Sequence, residues 1–302
     1  MKNRDNQDSY ILAGCAIIVL FLLAIIIVAG FGFSAFNGCV GVIEIKGELV
    51  SEDIDATLFT DEVKGSATMA EEIKEANERA DVKSVLFIID SPGGSVVASK
   101  QVYDAIGGLG KPSVSYINEL AASGGYMAAA GTDYIVANPN AITGSIGARS
   151  TFDDLSVLFQ KVGYNMTVVK SGELKDMGSP ARPLSEKELA VMQEIVDESF
   201  QEFKSAVVDG RGDRLDPSGF AVALDGRLLT GRQAKKIGLV DELGGKEAAI
   251  AAAGRMAGIE GEPSLCKISL REGNRGIFGS LSSQAFEAAA RAALALPKFS
   301  YR

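Results

Sequence analysis

Residues 82–90, VKSVLFIID, form a nearly unbroken apolar run that ends at the turn signal SPGG. A strand without polar alternation is covered on both faces, which is the condition of strands in parallel sheets sheathed by helices. That segment predicts an α/β architecture, and the flanking chain agrees. CVGVIEIKGELV (39–50) is β-branched and bounded by glycine, while SVSYINE (113–119) and DYIVANP (133–139) read as further short strands. SATMAEEIKEANERA (66–80) and SVVASKQVYDAIGGL (95–109) space their apolar residues helically. SEKELAVMQEIVDESFQEFKSAVVDGR (185–211) is the longest predicted helix. A helix ending at Gly238, a short strand, a helix over 246–259 and a last strand, SLCKISLRE (264–272), complete the pattern. Without an internal repeat or a break in composition, residues 40–271 read as one α/β domain.

Ahead of that domain, residues 11–33, ILAGCAIIVLFLLAIIIVAGFGF, carry no charge. As a helix rising ~1.5 Å per residue the run covers roughly 34 Å, enough to cross a hydrocarbon core of ~30 Å. A transmembrane helix is therefore expected at 11–33, with residues 34–39 as a linker. The competing reading is a cleaved signal peptide, with Gly30 and Gly32 at its exit. LAGC at 12–15 precedes its apolar run and so does not make a lipoprotein box. Lys2 and Arg4 lie before the span, whereas Glu44, Lys46 and Glu48 are the first charges after it. The positive-inside rule then puts residues 1–10 in the cytoplasm and the body outside it, a single-pass protein of the cell membrane. The tail, 272–302, holds a Gly/Ser stretch and the amphipathic SSQAFEAAARAALAL.

A net charge of −9, without clustered Lys and Arg, argues against nucleic acid as a partner. The chain contains no histidine, which excludes the usual zinc sites, and it has no Asp-rich calcium loop. No metal or cofactor is expected. Cys39 and Cys266 are far apart and imply no disulfide framework; a single bridge on the oxidising side of a membrane is conceivable but is not the expectation.

Three glycine-rich segments follow predicted strands: DSPGGS (90–95), ELAASGGYMAAA (119–130) and AITGSIGARS (141–150). Glycines at a strand end let a substrate approach the backbone and turn N–H groups toward it. Ser123 sits where a helix N-cap would sit, yet a cap needs no surrounding run of Ala and Gly. A serine nucleophile needs a base, and the lack of histidine removes the Ser-His-Asp arrangement. Lysine is the attested alternative, provided that it is desolvated, since its free pKa is ~10.4. VVKSGELKDMGSPARPLS (168–185), which reads as a loop after a strand, offers Lys170 and Lys175. Spacing does not choose between them.

DSPGGS, AASGGY, ITGSIG, KSGELKDMGSP and GRLLTGRQAKKIGLVDELGG stand in this order across most of residues 40–250. In that combination the chain resembles the signal peptide peptidases of the protease IV type, in their short form with one catalytic domain. More distantly it resembles the Clp protease and crotonase superfamily, which implies a superhelical ββα fold. Matched residue by residue, the resemblance implies Ser123 as nucleophile and Lys175 as general base, with Ser145 orienting the lysine. It also implies an oxyanion hole from the backbone N–H groups of Gly93 or Gly94 and of Gly124. Further implications are peptide substrates (cleaved signal peptides), a homo-oligomeric ring with the active site completed between protomers, and lipid contact through residues 11–33. An acyl-CoA hydratase or isomerase on the same fold and a catalytically silent membrane scaffold are the rival readings.

Overall fold

The computed structural model describes residues 21–23, 38–56 and 63–268. Its strands are β1 (Cys39–Leu49), β2 (Val82–Gly94), β3 (Ser113–Ala122), β4 (Tyr134–Ala137), β5 (Ile142–Gly144), β6 (Leu228–Thr230), β7 (Glu242–Leu243) and β8 (Leu265–Lys267). The helices are α1 (Ser66–Glu78), α2 (Val96–Gly107), α3 (Gly124–Ala130), α4 (Ser156–Lys161), α5 (Glu186–Arg211), α6 (Pro217–Ala223), α7 (Gly231–Lys236) and α8 (Lys246–Met256). One sheet runs in the order β6-β5-β3-β2-β1-β8, and β4 branches off β3 to pair with β7. Every pairing is parallel except β5 with β6.

The pleat of β2 shows why its sequence is apolar throughout. Val85, Phe87 and Ile89 enter one core with Met69 and Ile73 of α1 and Val102 and Ile106 of α2. Leu86 and Ile88 point the other way, against Ala249, Ala252 and Ala253 of α8. Each such side chain, fully buried, contributes roughly 1.5–3 kcal/mol of hydrophobic stabilisation. The alanines keep α8 close enough for the buried Ser84 hydroxyl to donate to the Ala253 carbonyl at 2.9 Å.

Three expectations are corrected. SPGG does not interrupt the strand: β2 continues to Gly94, with Gly93 and Gly94 opposite Glu48 and Leu49 of β1. The register shifts at Asp90, whose carboxylate accepts from the Asn118 amide (2.9 Å) and from the Glu119 and Leu120 N–H groups (2.8 and 3.3 Å). Those bonds stand in for ladder bonds, so the strand bends instead of ending. Second, no strand precedes the segment at 168–185. The β-branched residues there are exposed, Val169 at 95%, and pair with no sheet edge. Third, Cys39 and Cys266 form a disulfide. Their strands are adjacent and parallel, and the Cα atoms stand 5.8 Å apart, in the ordinary range for a bridge. Sequence separation hid a contact that the crossover topology creates.

The expected membrane span lies outside the described residues apart from Phe21–Leu23, which are helical. Among the described residues no helix is long and apolar enough to cross a membrane. The tail past Ile268 also lies outside them.

Candidate active site

Ser123 occupies the single residue between the end of β3 and the start of α3. Its backbone has φ 51° and ψ −125°, a conformation that an L-residue adopts only under constraint. Its N–H donates to the Gly144 carbonyl at 2.9 Å, and its hydroxyl makes no capping bond to α3. The side chain is thus free of the role that a serine at this position usually fills. Ser145 follows β5, the neighbouring parallel strand, at φ 52°, and its N–H donates to the Arg227 carbonyl at 2.8 Å. Because Ala122 pairs with Gly144, the two serines leave adjacent strands side by side.

Close backbone approach explains the surrounding glycines. A Cβ on Gly93 would lie 2.6 Å from the Gly124 nitrogen and 3.0 Å from the Ser123 Cβ. On Gly125 it would lie 2.5 Å from the Ser91 carbonyl oxygen, and on Gly124 it would collide with the Ser99 side chain. The SPGG strand and the Ser123 turn therefore touch backbone to backbone. As the first residue of α3, Gly124 has no carbonyl one turn earlier in the helix for its N–H to reach. The Gly93 N–H already has a long bond, 3.2 Å, to the Ser91 hydroxyl, which itself donates to the Gly47 carbonyl at 2.6 Å.

Ser123, Ser145, Gly93 and Gly94 line one groove of about 1010 Å³, with apolar wall residues that include Val96, Phe200 and Leu228. Neither candidate lysine is among the lining residues. Lys170 is engaged elsewhere, 2.6 Å from Asp176 Oδ1 and donating to the Glu173 carbonyl at 2.7 Å. Arg182 bridges Asp176 (2.9 Å) and Glu188 (2.6 Å). The Arg182 guanidinium, with help from Lys170, lowers the Asp176 carboxyl to about 2, and Arg182 also lowers Glu188 to about 2. Lys175 is exposed and makes no ion pair among the described residues. A single chain therefore gathers the nucleophile candidate, Ser145 and the glycines, but not the lysine.

Sequence reasoning missed the residues that hold the turn from behind. Tyr126 of α3 is fully buried, its hydroxyl donates to the Leu239 carbonyl at 2.8 Å, and burial pushes its pKa up. Nearby, the buried Arg211 makes two bonds to Asp241 (2.7 and 2.8 Å) and two to the Gly238 carbonyl. Asp241 in turn accepts from the Ile135 N–H at 2.8 Å. No local pattern signals partners separated by 27 to 113 positions.

A family model described as peptidase family S49 matches residues 108–260, just over half the chain, and a Clp protease model matches residues 53–150. Both models describe peptidases, and the Clp protease match agrees with the α/β sheet. A relative from Methanocaldococcus jannaschii that carries a provisional protease name is 38% identical over 200 residues, 66% of this chain and 63% of its own length. An Enterococcus faecium protein provisionally named signal peptide peptidase SppA is 34% identical over 205 residues, 67% of this chain and 59% of its own. Protease 4 of Haemophilus influenzae is 30% identical over 208 residues, 68% of this chain and 32% of its own. The chain belongs to peptidase family S49. It spans less than two thirds of the length of these relatives.

Proposed function

We propose that the chain is a membrane-anchored serine endopeptidase in which Ser123 is the nucleophile and Lys175 of a neighbouring copy is the general base. The observation that carries the reading is the Ser123 turn, with its left-handed backbone and uncapped hydroxyl at a groove wall against the SPGG strand. Exposure of Lys175 away from that groove supports completion of the site by a second copy in a ring. So do the apolar side chains left in solvent between 152 and 169, among them Leu158, Val162 and Tyr164. Docking of that surface would also strip water from the amine, the condition for a lysine to act as a base near neutral pH.

Acylation joins the Ser123 oxygen to the substrate carbonyl carbon as the hydroxyl proton passes to the neutral Lys175 amine. The oxyanion is held by the Gly124 N–H and by an N–H of Gly93 or Gly94, each such donor contributing ~3–4 kcal/mol. The Ser145 hydroxyl orients the amine. The lysine then returns its proton to the leaving nitrogen as the C–N bond breaks, and water, activated by the same amine, releases the acyl group from Ser123. The substrates we assign are residual signal peptides and other extended peptides near the membrane.

In this reading the chain keeps residues 1–10 in the cytoplasm, 11–33 in the membrane and 34–39 as a linker. It places 40–271 outside the cytoplasm as the catalytic domain, on the crotonase-related superhelical ββα plan, followed by the tail at 272–302. The Cys39–Cys266 bridge supports that side, because disulfides persist in oxidising compartments.

The test is cleavage of a fluorogenic peptide by the full chain in detergent. Ser123→Ala and Lys175→Ala are each expected to abolish turnover, while Lys170→Ala retains it. Equal amounts of the two inactive variants, dissociated and reassembled together, are expected to regain about a quarter of the wild-type sites. Full activity in both single variants sinks the dyad. No recovery in the mixture sinks its sharing between copies.

A further inference from the structure

We infer that Glu48 makes the groove selective for peptides carrying a lysine or arginine within about two residues of the bond to be cut, an inference that rests on the peptidase reading above. Glu48 lies near the end of β1 and lines the same groove as Ser123. Its strand partner is Gly93, the glycine whose Cβ direction points at Ser123. Neighbouring strands lie ~4.8 Å apart, and an extended peptide advances ~3.3 Å per residue, or roughly 7 Å over two. A glutamate one strand spacing from the glycine that touches the nucleophile therefore faces substrate positions beside the attacked carbonyl.

The other acids nearby all have hydrogen-bond partners, although only Asp225 and Glu44 are paired with a cation. Asp225 pairs with Arg227 at 2.5 Å, and Asp197 accepts from the Gln193 amide at 2.7 Å. Asp90 takes three donors from Asn118, Glu119 and Leu120. Glu44, on the same strand, pairs with Lys46 at 2.8 Å. Glu48 is exposed and has no hydrogen-bond or ion-pair partner among the described residues. Arg149, the one cation lining the groove among the described residues, lies in the loop that follows Ser145 and β5, whereas Glu48 is on β1. The wall built by β1 thus presents an uncompensated negative charge, and a cationic substrate side chain is its complement.

The experiment compares two fluorogenic peptides, identical except for Lys or Gln near the scissile bond, cleaved by the full chain in detergent. Wild type is expected to favour the Lys peptide about fivefold in kcat/KM at low ionic strength, as a partly exposed ion pair allows. That ratio is expected to shrink in 0.5 M salt, where the screening length falls to roughly 4 Å. Glu48→Gln, which removes the charge at nearly constant shape, brings the ratio to about one, and Glu48→Lys, which reverses the charge, inverts it. A wild-type ratio of one, or a ratio that survives Glu48→Gln, overturns the charge selectivity and leaves the peptidase standing. A wild type that cleaves neither peptide, nor any other, overturns both.

Discussion

Among the described residues, Ser123 and Ser145 alone depart from negative φ without being glycine. Conformations of this kind cost on the order of 1–3 kcal/mol each and persist only where neighbours over-determine them. Here the bonds to the Gly144 and Arg227 carbonyls fix the two backbones, while Tyr126 ties α3 to the turn after α7. Tyr126→Phe keeps the packing and leaves the buried Leu239 carbonyl without its donor. It is expected to lower unfolding stability by about 1–2 kcal/mol, read as a shifted urea midpoint with an unchanged slope. Loosening of the Ser123 turn is expected to appear as a fall in kcat with KM little changed, since the hydroxyl touches no substrate. Gly125→Ala is the harsher change at the same place, because its Cβ meets a backbone oxygen that has no free rotamer to yield.

At the scale of elements, what is legible in a sequence depends on how local its cause is. The apolar run of β2 and the helical period of α5 are written in consecutive residues, and both appear where the pattern puts them. Continuation of β2 through Pro92 was not legible, because its cause is a carboxylate reaching to Asn118 and Glu119 on the next strand. The same limit hid the disulfide and the Arg211–Asp241 pair. Ser123, Ser145 and the glycines lie together because strand ends in parallel sheets collect in one place. Lys175 needed the family pattern, and within one chain it stands apart from them.

The segment that carries Lys175 makes its own prediction. Asp176 and Glu188 fall to about 2 in the folded chain, from ordinary values of 3.8 and 4.5, chiefly through Arg182. Depressed carboxylates stabilise the folded form above their unfolded pKa and lose that contribution as pH falls through the folded one. Amide protection over residues 170–188 is therefore expected to stay constant from pH 7 to 5 and to decline from about pH 4.5 toward 2. Arg182→Met should open the same segment at neutral pH. Protection that declines between pH 7 and 5, or that ignores Arg182, would falsify this account.

For the molecule as a whole, the bridge between β1 and β8 closes 227 residues into one covalent loop. Chain-entropy reasoning gives such a crosslink about 5 kcal/mol of stabilisation. Reduction, or Cys39→Ser with Cys266→Ser, is expected to lower the melting midpoint by about 10 °C or more for a domain of this size. An unchanged midpoint would mean that the β1–β8 pairing needs no crosslink.

The same bond governs how tension crosses the domain. Cys39 is where the chain enters the sheet from the linker, and Cys266 lies two residues before the described body ends. A pull between the chain before Cys39 and the chain after Cys266 runs through two sulfur atoms and bypasses the sheet, the groove and the Ser123 turn. With the sulfurs joined, the load-bearing path across the body is only the 5.8 Å between two Cα atoms. Once they are reduced it becomes a chain that unravels to roughly 3.4 Å per residue, on the order of 800 Å. The bridge is thus a mechanical shunt, which lets the chain be tugged at both ends while the groove stays at rest.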